Sequence, residues 1–303
     1  MVAFLAAPLR QRLRAWVIRA FPRGESGIDY DQPEGDPGLF GPDSVTWRVH
    51  ADFPGMLSGG LCALLLQTLH PAALAGVWDH SNFRTDLVGR LRRTTHFVAG
   101  TSYAARAEAE RLIARVRRIH AQVRGITETG APYAADDPAL LTWVHVTEAY
   151  GFLQGYRRYA GALTTDEADR YYDETRVIAE ALGAAAVPRS EAAVMTYFEG
   201  VQPVLAYTER SRTVLRILAN LRLPVPLPGL SRNLFLGAGA ALLPDWASRR
   251  LQRRPAQALQ ARVAAGTLRA MAPLFRAALN DGPAQRACLR VGRDPAWVRR
   301  RLS

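Results

Sequence analysis

The stretch AADDPALLTWVHVTEAYGF, residues 134–152, decides how the rest of the chain is read. Asp136 or Asp137 can cap a helix by accepting from its free N-terminal amides, and Pro138 suits the first turn, where no backbone donor is needed. Leu140, Leu141, Val144 and Phe152 then recur at helical spacing and form one apolar side. The same grammar repeats on either side. Residues 53–69 read as a helix that ends at the His70-Pro71 break. In residues 103–123, Leu112, Ile113, Val116, Ile119 and Val123 return every three or four positions, and Gly125 is expected to end that helix. Thr164-Thr165-Asp166-Glu167 opens another, with a capping threonine and acidic side chains at the positive helix end.

Residues 190–204, 208–221 and 256–279 read as further helices. The prolines of LRLPVPLPGL, residues 221–230, remove amide donors and forbid a continuous helix there. Sustained alternation of apolar and polar residues is missing, so strands are not expected. The expectation is one all-α domain over residues 1–303, with a proline-rich crossover before a C-terminal helical part at 230–303.

With 303 residues, 49% hydrophobic and 22% charged, the chain can bury a large core. The net charge is +12, and every basic side chain of the lysine-arginine class is arginine. Arginines are densest at 249–250, 253–254 and 299–301. A solvated helix face explains them, since no zinc-finger, RNA-binding aromatic or helix-turn-helix pattern accompanies them and no nucleic acid partner is expected. Cys62 and Cys288 lie far apart outside any C-x-x-C pair, which fits two reduced core thiols in a cytoplasmic protein. In MVAFLAAPLRQRLRAWVIRAF, residues 1–21, arginines follow the apolar run, the reverse of a secretory signal. The segment either packs on the domain or lies on a membrane as a basic amphipathic helix. Residues 56–77 are apolar but broken by Gly59-Gly60, Gln67, His70 and Pro71, as in a buried helix.

Six histidines supply candidate metal ligands: His50, His70, His80, His96, His120 and His145. His120 follows Val116 by four residues and Ile113 by seven, so it projects from the apolar side of its helix. Arg117 and Arg124 share its edge. Such an imidazole is either a core histidine bonded to a carbonyl or a ligand facing an apolar cavity. His145, with Leu141 four residues before it and Glu148 three after, reads as a buried, hydrogen-bonded neighbour; H-E-x-x-H spacing is missing. In GRLRRTTHF, residues 89–97, Arg90 and Thr94 face the same way if the segment is helical, as an anion or propionate clamp or as a solvated helix end.

Six segments together are similar to one family: HPAALAGVWDHSNF (70–83), GRLRRTTHFV (89–98), RRIHAQVRG (117–125), YAADDPALLTWVHVTEAYGF (133–152), YRRYAGALTTDEADRYYDE (156–174) and VPRSEAAVMTYF (187–198). Their order and spacing resemble the family shared by latex-clearing rubber oxygenases and MpaB-type oxygenases, with a family-like core at about 45–215. The resemblance implies an all-helical fold around one haem b. It places the proximal iron ligand on His120 and its flanking arginines on Arg117 and Arg124. Pocket residues fall on Arg90 and Thr94. His145, on the reading of its helix alone, is expected as a neighbour of the cofactor. The position of the family's basic distal residue falls on Arg93, and arginine, always protonated, is a poor iron ligand. The rubber enzymes' pocket glutamate has no match before Arg90, where only Asp79 and Asp86 stand, so polyisoprene cleavage is not supported. The function implied is a haem b-dependent oxygenase that joins dioxygen to an apolar small molecule. The alternative is a non-catalytic haem carrier or sensor, which would hand haem over rather than consume oxygen. A basic protein docking on membrane or nucleic acid is a third reading, and it would purify colourless.

Overall fold

Two helices set the frame. The first, α3 (Phe53–Gln67), is capped by Asp52, whose carboxylate accepts from the Gly55 amide at 2.9 Å. The second, α7 (Pro138–Tyr159), is capped by Asp137, which accepts from Ala139 at 2.7 Å. Both are buried on most sides rather than along one stripe, as expected of helices at the centre of an all-α core. They pass each other at backbone contact. A Cβ added at Gly59 would overlap the Gly151 carbonyl oxygen and stand 2.8 Å from the Phe152 nitrogen. One added at Gly155 would overlap the Gly55 carbonyl oxygen in the same way. Glycines at 55, 59, 151 and 155 are therefore the condition for this crossing, and they appear at four-residue spacing in both helices.

The computed structural model describes residues 2–22, 27–222 and 224–300. In them the central pair is wrapped by α1 (Val2–Ala20), α2 (Val45–His50), α4 (Pro71–His80), α5 (Leu87–Tyr103) and α6 (Arg106–His120). After α7 come α8 (Thr165–Leu182), α9 (Glu191–Gly200), α10 (Glu209–Ala219), α11 (Pro228–Ala240), α12 (Asp245–Arg250), α13 (Pro255–Ala278) and α14 (Pro283–Arg290). The described residues thus form an all-α fold. Helices α11 and α13 cover α3, and α1 lies on α13, while α5, α6 and α8 pack around the half of the molecule that carries the candidate site. Charged side chains fasten the layers at buried points. Arg276 on α13 meets the buried Asp52 cap at 2.6 Å, and Glu174 on α8 accepts from the Thr46 amide at 2.9 Å and its hydroxyl at 2.7 Å, closing the start of α2.

The caps follow the sequence closely: Thr164 and Glu167 form a reciprocal capping box, and Ser190 and Thr208 cap α9 and α10. Three expectations need correction. The helix foreseen over 103–123 is divided. α5 runs through Tyr103, the chain breaks at Ala104-Ala105, and α6 ends at His120. Gly125 does not end that helix. It sits in β1 (Arg124–Ile126), paired antiparallel with β2 (Pro132–Ala134), and Tyr133 packs where a Gly125 side chain would be. Strands of three residues are too short to show alternation, which is why the sequence concealed them. Helix α9 stops at Gly200, with a 3-10 turn at Gln202–Val204, and the prolines of 221–230 leave a break until α11 starts at Pro228.

The N-terminal helix packs on the domain, burying Leu13 and Ala20, with Arg14 paired to Asp281. Among the described residues no single helix is long and apolar enough to cross a membrane. α3 and α4 together reach that length but meet at 105°, and most of α3 is core. Cys62 and Cys288 are both free and buried.

Candidate functional site

The six histidines divide by what they touch. His50 bonds Ser102 and Tyr171, His70 caps α4 through the Ala73 amide, His80 reaches the Arg124 carbonyl at 3.0 Å, and His96 reaches the Pro22 carbonyl at 3.2 Å. His120 and His145 have no hydrogen-bond partner among the described residues. A buried nitrogen that bonds nothing costs free energy, so His120 Nδ1 is where the fold leaves ligand chemistry available.

His120 stands at the last residue of α6, on the side marked by buried Ile113. Its Nδ1 is enclosed and unpartnered. Burial holds the imidazole below its ordinary pKa, with Asp136 pulling the other way. The ring is therefore neutral at pH 7 and keeps a lone pair, which is what a metal requires of it. Arg117 and Arg124 lie at the exposed rim beside it. Arg124 bonds Asp136 at 3.0 Å. Arginines there suit carboxylates that reach out to solvent.

A second group comes from α5 and α7. Arg90, His145 and Glu148 are each half-buried and densely surrounded by protein. Burial pushes the Glu148 carboxyl up to about 7 against the pull of Arg90, and it pushes His145 down to about 4. Burial and Arg93 lower the Arg90 guanidinium, while Glu148 opposes them. Neither the Arg90 guanidinium nor the Glu148 carboxyl forms a side-chain hydrogen bond among the described residues. Arg90 and Glu148 are thus electrostatic neighbours rather than a closed ion pair.

The structure separates residues that the sequence grouped. Arg90 points inward, whereas Thr94 is exposed and its hydroxyl returns to the Arg90 carbonyl at 3.3 Å. Arg93 is exposed and engaged with Asn82 at 3.0 Å and Asp86 at 3.7 Å. His145 lacks the hydrogen bond expected of it. Glu148 emerges as the interior carboxylate; its sequence signal was one helical turn from His145 on the apolar helix. His50 carried no signal beyond being a histidine.

No three His, Cys, Asp or Glu side chains among the described residues converge on a point that would hold a bare metal ion. A single neutral imidazole can hold iron when a macrocycle supplies the remaining donors. His120 with its unpartnered Nδ1 and the exposed arginines near it in sequence fit a haem in that respect.

The catalytic-domain model described as ER-bound oxygenase mpaB/B'/rubber oxygenase matches residues 47–277. No curated protein and no solved structure matches the chain. The match begins in α2, takes in His120, Arg90, His145 and Glu148, and ends in α13. Covering well over half of the chain, it shows that this protein belongs to the MpaB/rubber oxygenase family through its oxygenase catalytic domain.

Proposed function

We propose that this protein is a haem b-dependent oxygenase acting on an apolar small molecule and dioxygen, with His120 as the residue that would hold the iron. The observation that carries this reading is the enclosed, unpartnered His120 ring at the end of α6, in a chain of the oxygenase family. Bound haem supplies a redox-active iron centre for dioxygen chemistry. His120 would hold that centre at the end of α6, and Arg117 and Arg124 would bind its propionates. Arg90 sets the positive field on the inner side, and Glu148 holds or releases a proton there near neutral pH. Thr94 and Arg93, exposed on the outer turn of α5, serve the edge of the site rather than its interior.

The test is the absorption spectrum of freshly purified protein. A Soret band is expected in the wild type and its loss in His120→Ala, because alanine offers no donor atom. A folded wild type that stays colourless after expression with added haem overturns the reading, as does a His120→Ala variant with unchanged haem content and spectrum. Oxygen uptake with apolar alkenes then separates an oxygenase from a haem carrier, which would consume none.

A further inference from the structure

His50 and Tyr171 form a directed hydrogen-bond chain deep between α2, α5 and α8. The Ser102 hydroxyl donates its single hydrogen to the Val98 carbonyl at 2.7 Å. Toward His50 Nδ1, 2.7 Å away, it can only accept, so Nδ1 carries the imidazole hydrogen. His50 Nε2 is left with its lone pair, and the Tyr171 hydroxyl donates to it at 2.9 Å. Tyr171 has no exposed surface. Phe152 stands edge-on to the His50 ring at 5.3 Å.

We propose that Tyr171 and His50 are a redox-active pair that drains oxidising equivalents from the adjacent pocket when no substrate is bound. This inference rests on the oxygenase reading above. In the step, the Tyr171 phenol gives one electron to a one-electron oxidant generated at the bound haem by peroxide. Its O–H bond breaks, and the proton passes to His50 Nε2. The products are a neutral tyrosyl radical, an imidazolium and an oxidant reduced by one electron. One electron from a reductant such as ascorbate resets the pair, with the proton returning to the phenolic oxygen.

The surroundings select Tyr171 for this. An oxidised phenol is a strong acid and needs a base at hydrogen-bond distance. The hydroxyls of Tyr103, Tyr150 and Tyr159 donate to backbone carbonyls, which are not bases. Tyr172, whose ring lies 5.8 Å from that of Tyr171, has a buried hydroxyl with no partner. Tyr133 donates to Asp79 at 2.8 Å, on the hairpin side of α4, and is the competing site. Burial keeps His50 neutral down to about 3, with the neighbouring His145 adding to the effect, so a proton acceptor is present at any ordinary pH. The pocket is close: α8, which carries Tyr171, packs on α6 with His120 and on α7, and Glu148 acts electrostatically on Tyr171.

The experiment has two arms, both read by electron paramagnetic resonance. In one, the haem-containing protein is mixed with hydrogen peroxide without substrate and freeze-quenched. In the other, the protein is photo-oxidised with a ruthenium tris-bipyridyl complex and persulfate, which requires no haem. A tyrosyl signal is expected in both arms for the wild type, Tyr172→Phe and Tyr133→Phe, and is expected to vanish in Tyr171→Phe. His50→Gln keeps a hydrogen-bond acceptor but no base and should lower the yield, which guards against a folding defect in Tyr171→Phe. A signal that survives Tyr171→Phe, or that disappears in Tyr133→Phe, overturns the assignment. A Tyr171 signal in the photochemical arm alone, from protein shown to contain haem, overturns the drain from the pocket. The Soret measurement fails separately if the haem reading is wrong, and the photochemical arm still decides the pair.

Discussion

Replacing Glu148 by glutamine should make stability respond to pH in a different way. In the folded protein burial raises the carboxyl from 4.5 to about 7, with Arg90 opposing. Between those values the folded state binds a proton that the unfolded chain has released. Stability is therefore fully present below about 4.5 and falls as pH rises toward 7, after which the loss is constant. At about 1.4 kcal/mol per pH unit, the loss attributable to Glu148 is roughly 3 kcal/mol. Glutamine has no proton to lose, so Glu148→Gln escapes it. The variant's offset at low pH absorbs the altered contact with Arg90, but the change with pH does not. Burial lowers His50 and His145, so both must gain protons on unfolding in acid, and that effect cancels between the two proteins. Urea unfolding of both at about pH 4 and about pH 8 should show Glu148→Gln gaining roughly 3 kcal/mol on the wild type over the interval. An unchanged difference between the two proteins at the two pH values would refute a buried, destabilised carboxylate at position 148.

Further outcomes follow from the same geometry. Gly151→Ala puts a methyl group onto the Gly59 carbonyl and should cost about 1–3 kcal/mol in urea unfolding, as overpacking does. Arg276→Ala leaves the buried Asp52 without its cation and should destabilise by about 3 kcal/mol, with Arg276→Lys recovering part of the thermal midpoint. Removing the cation in Arg90→Gln should raise the Glu148 pKa further, which carboxyl-region infrared titration reads directly. Arg117→Ala should weaken haem retention less than His120→Ala does, measured by transfer of haem to apomyoglobin, because Arg117 is exposed and water or Arg124 can replace it.

Several of the long helices and their N-terminal caps were legible because their signals are local. Asp137 with Pro138, Thr164 with Glu167, and Ser190 and Thr208 each act within one turn of the residues that they cap. His120 was also legible, since helical spacing alone puts it on the side of Ile113 and Val116. The break at Ala104-Ala105 and the short hairpin after α6 were not, because neither leaves a periodic pattern.

What spacing could not reveal was the company each side chain keeps. Four-residue spacing placed Arg90 and Thr94 on one face, but the fold leaves one half-buried and the other exposed. The glycines of α3 and α7 were visible as letters, yet only the crossing shows that each stands against the other helix's backbone. Likewise, His50 is held by Ser102 and Tyr171, 52 and 121 residues away, while His120 Nδ1 meets no partner among the described residues. Caps and apolar faces depend on neighbours along the chain, whose distances the helix geometry dictates. Whether a buried polar atom is satisfied depends on every other segment that packs against it, and that is decided only when the chain has folded.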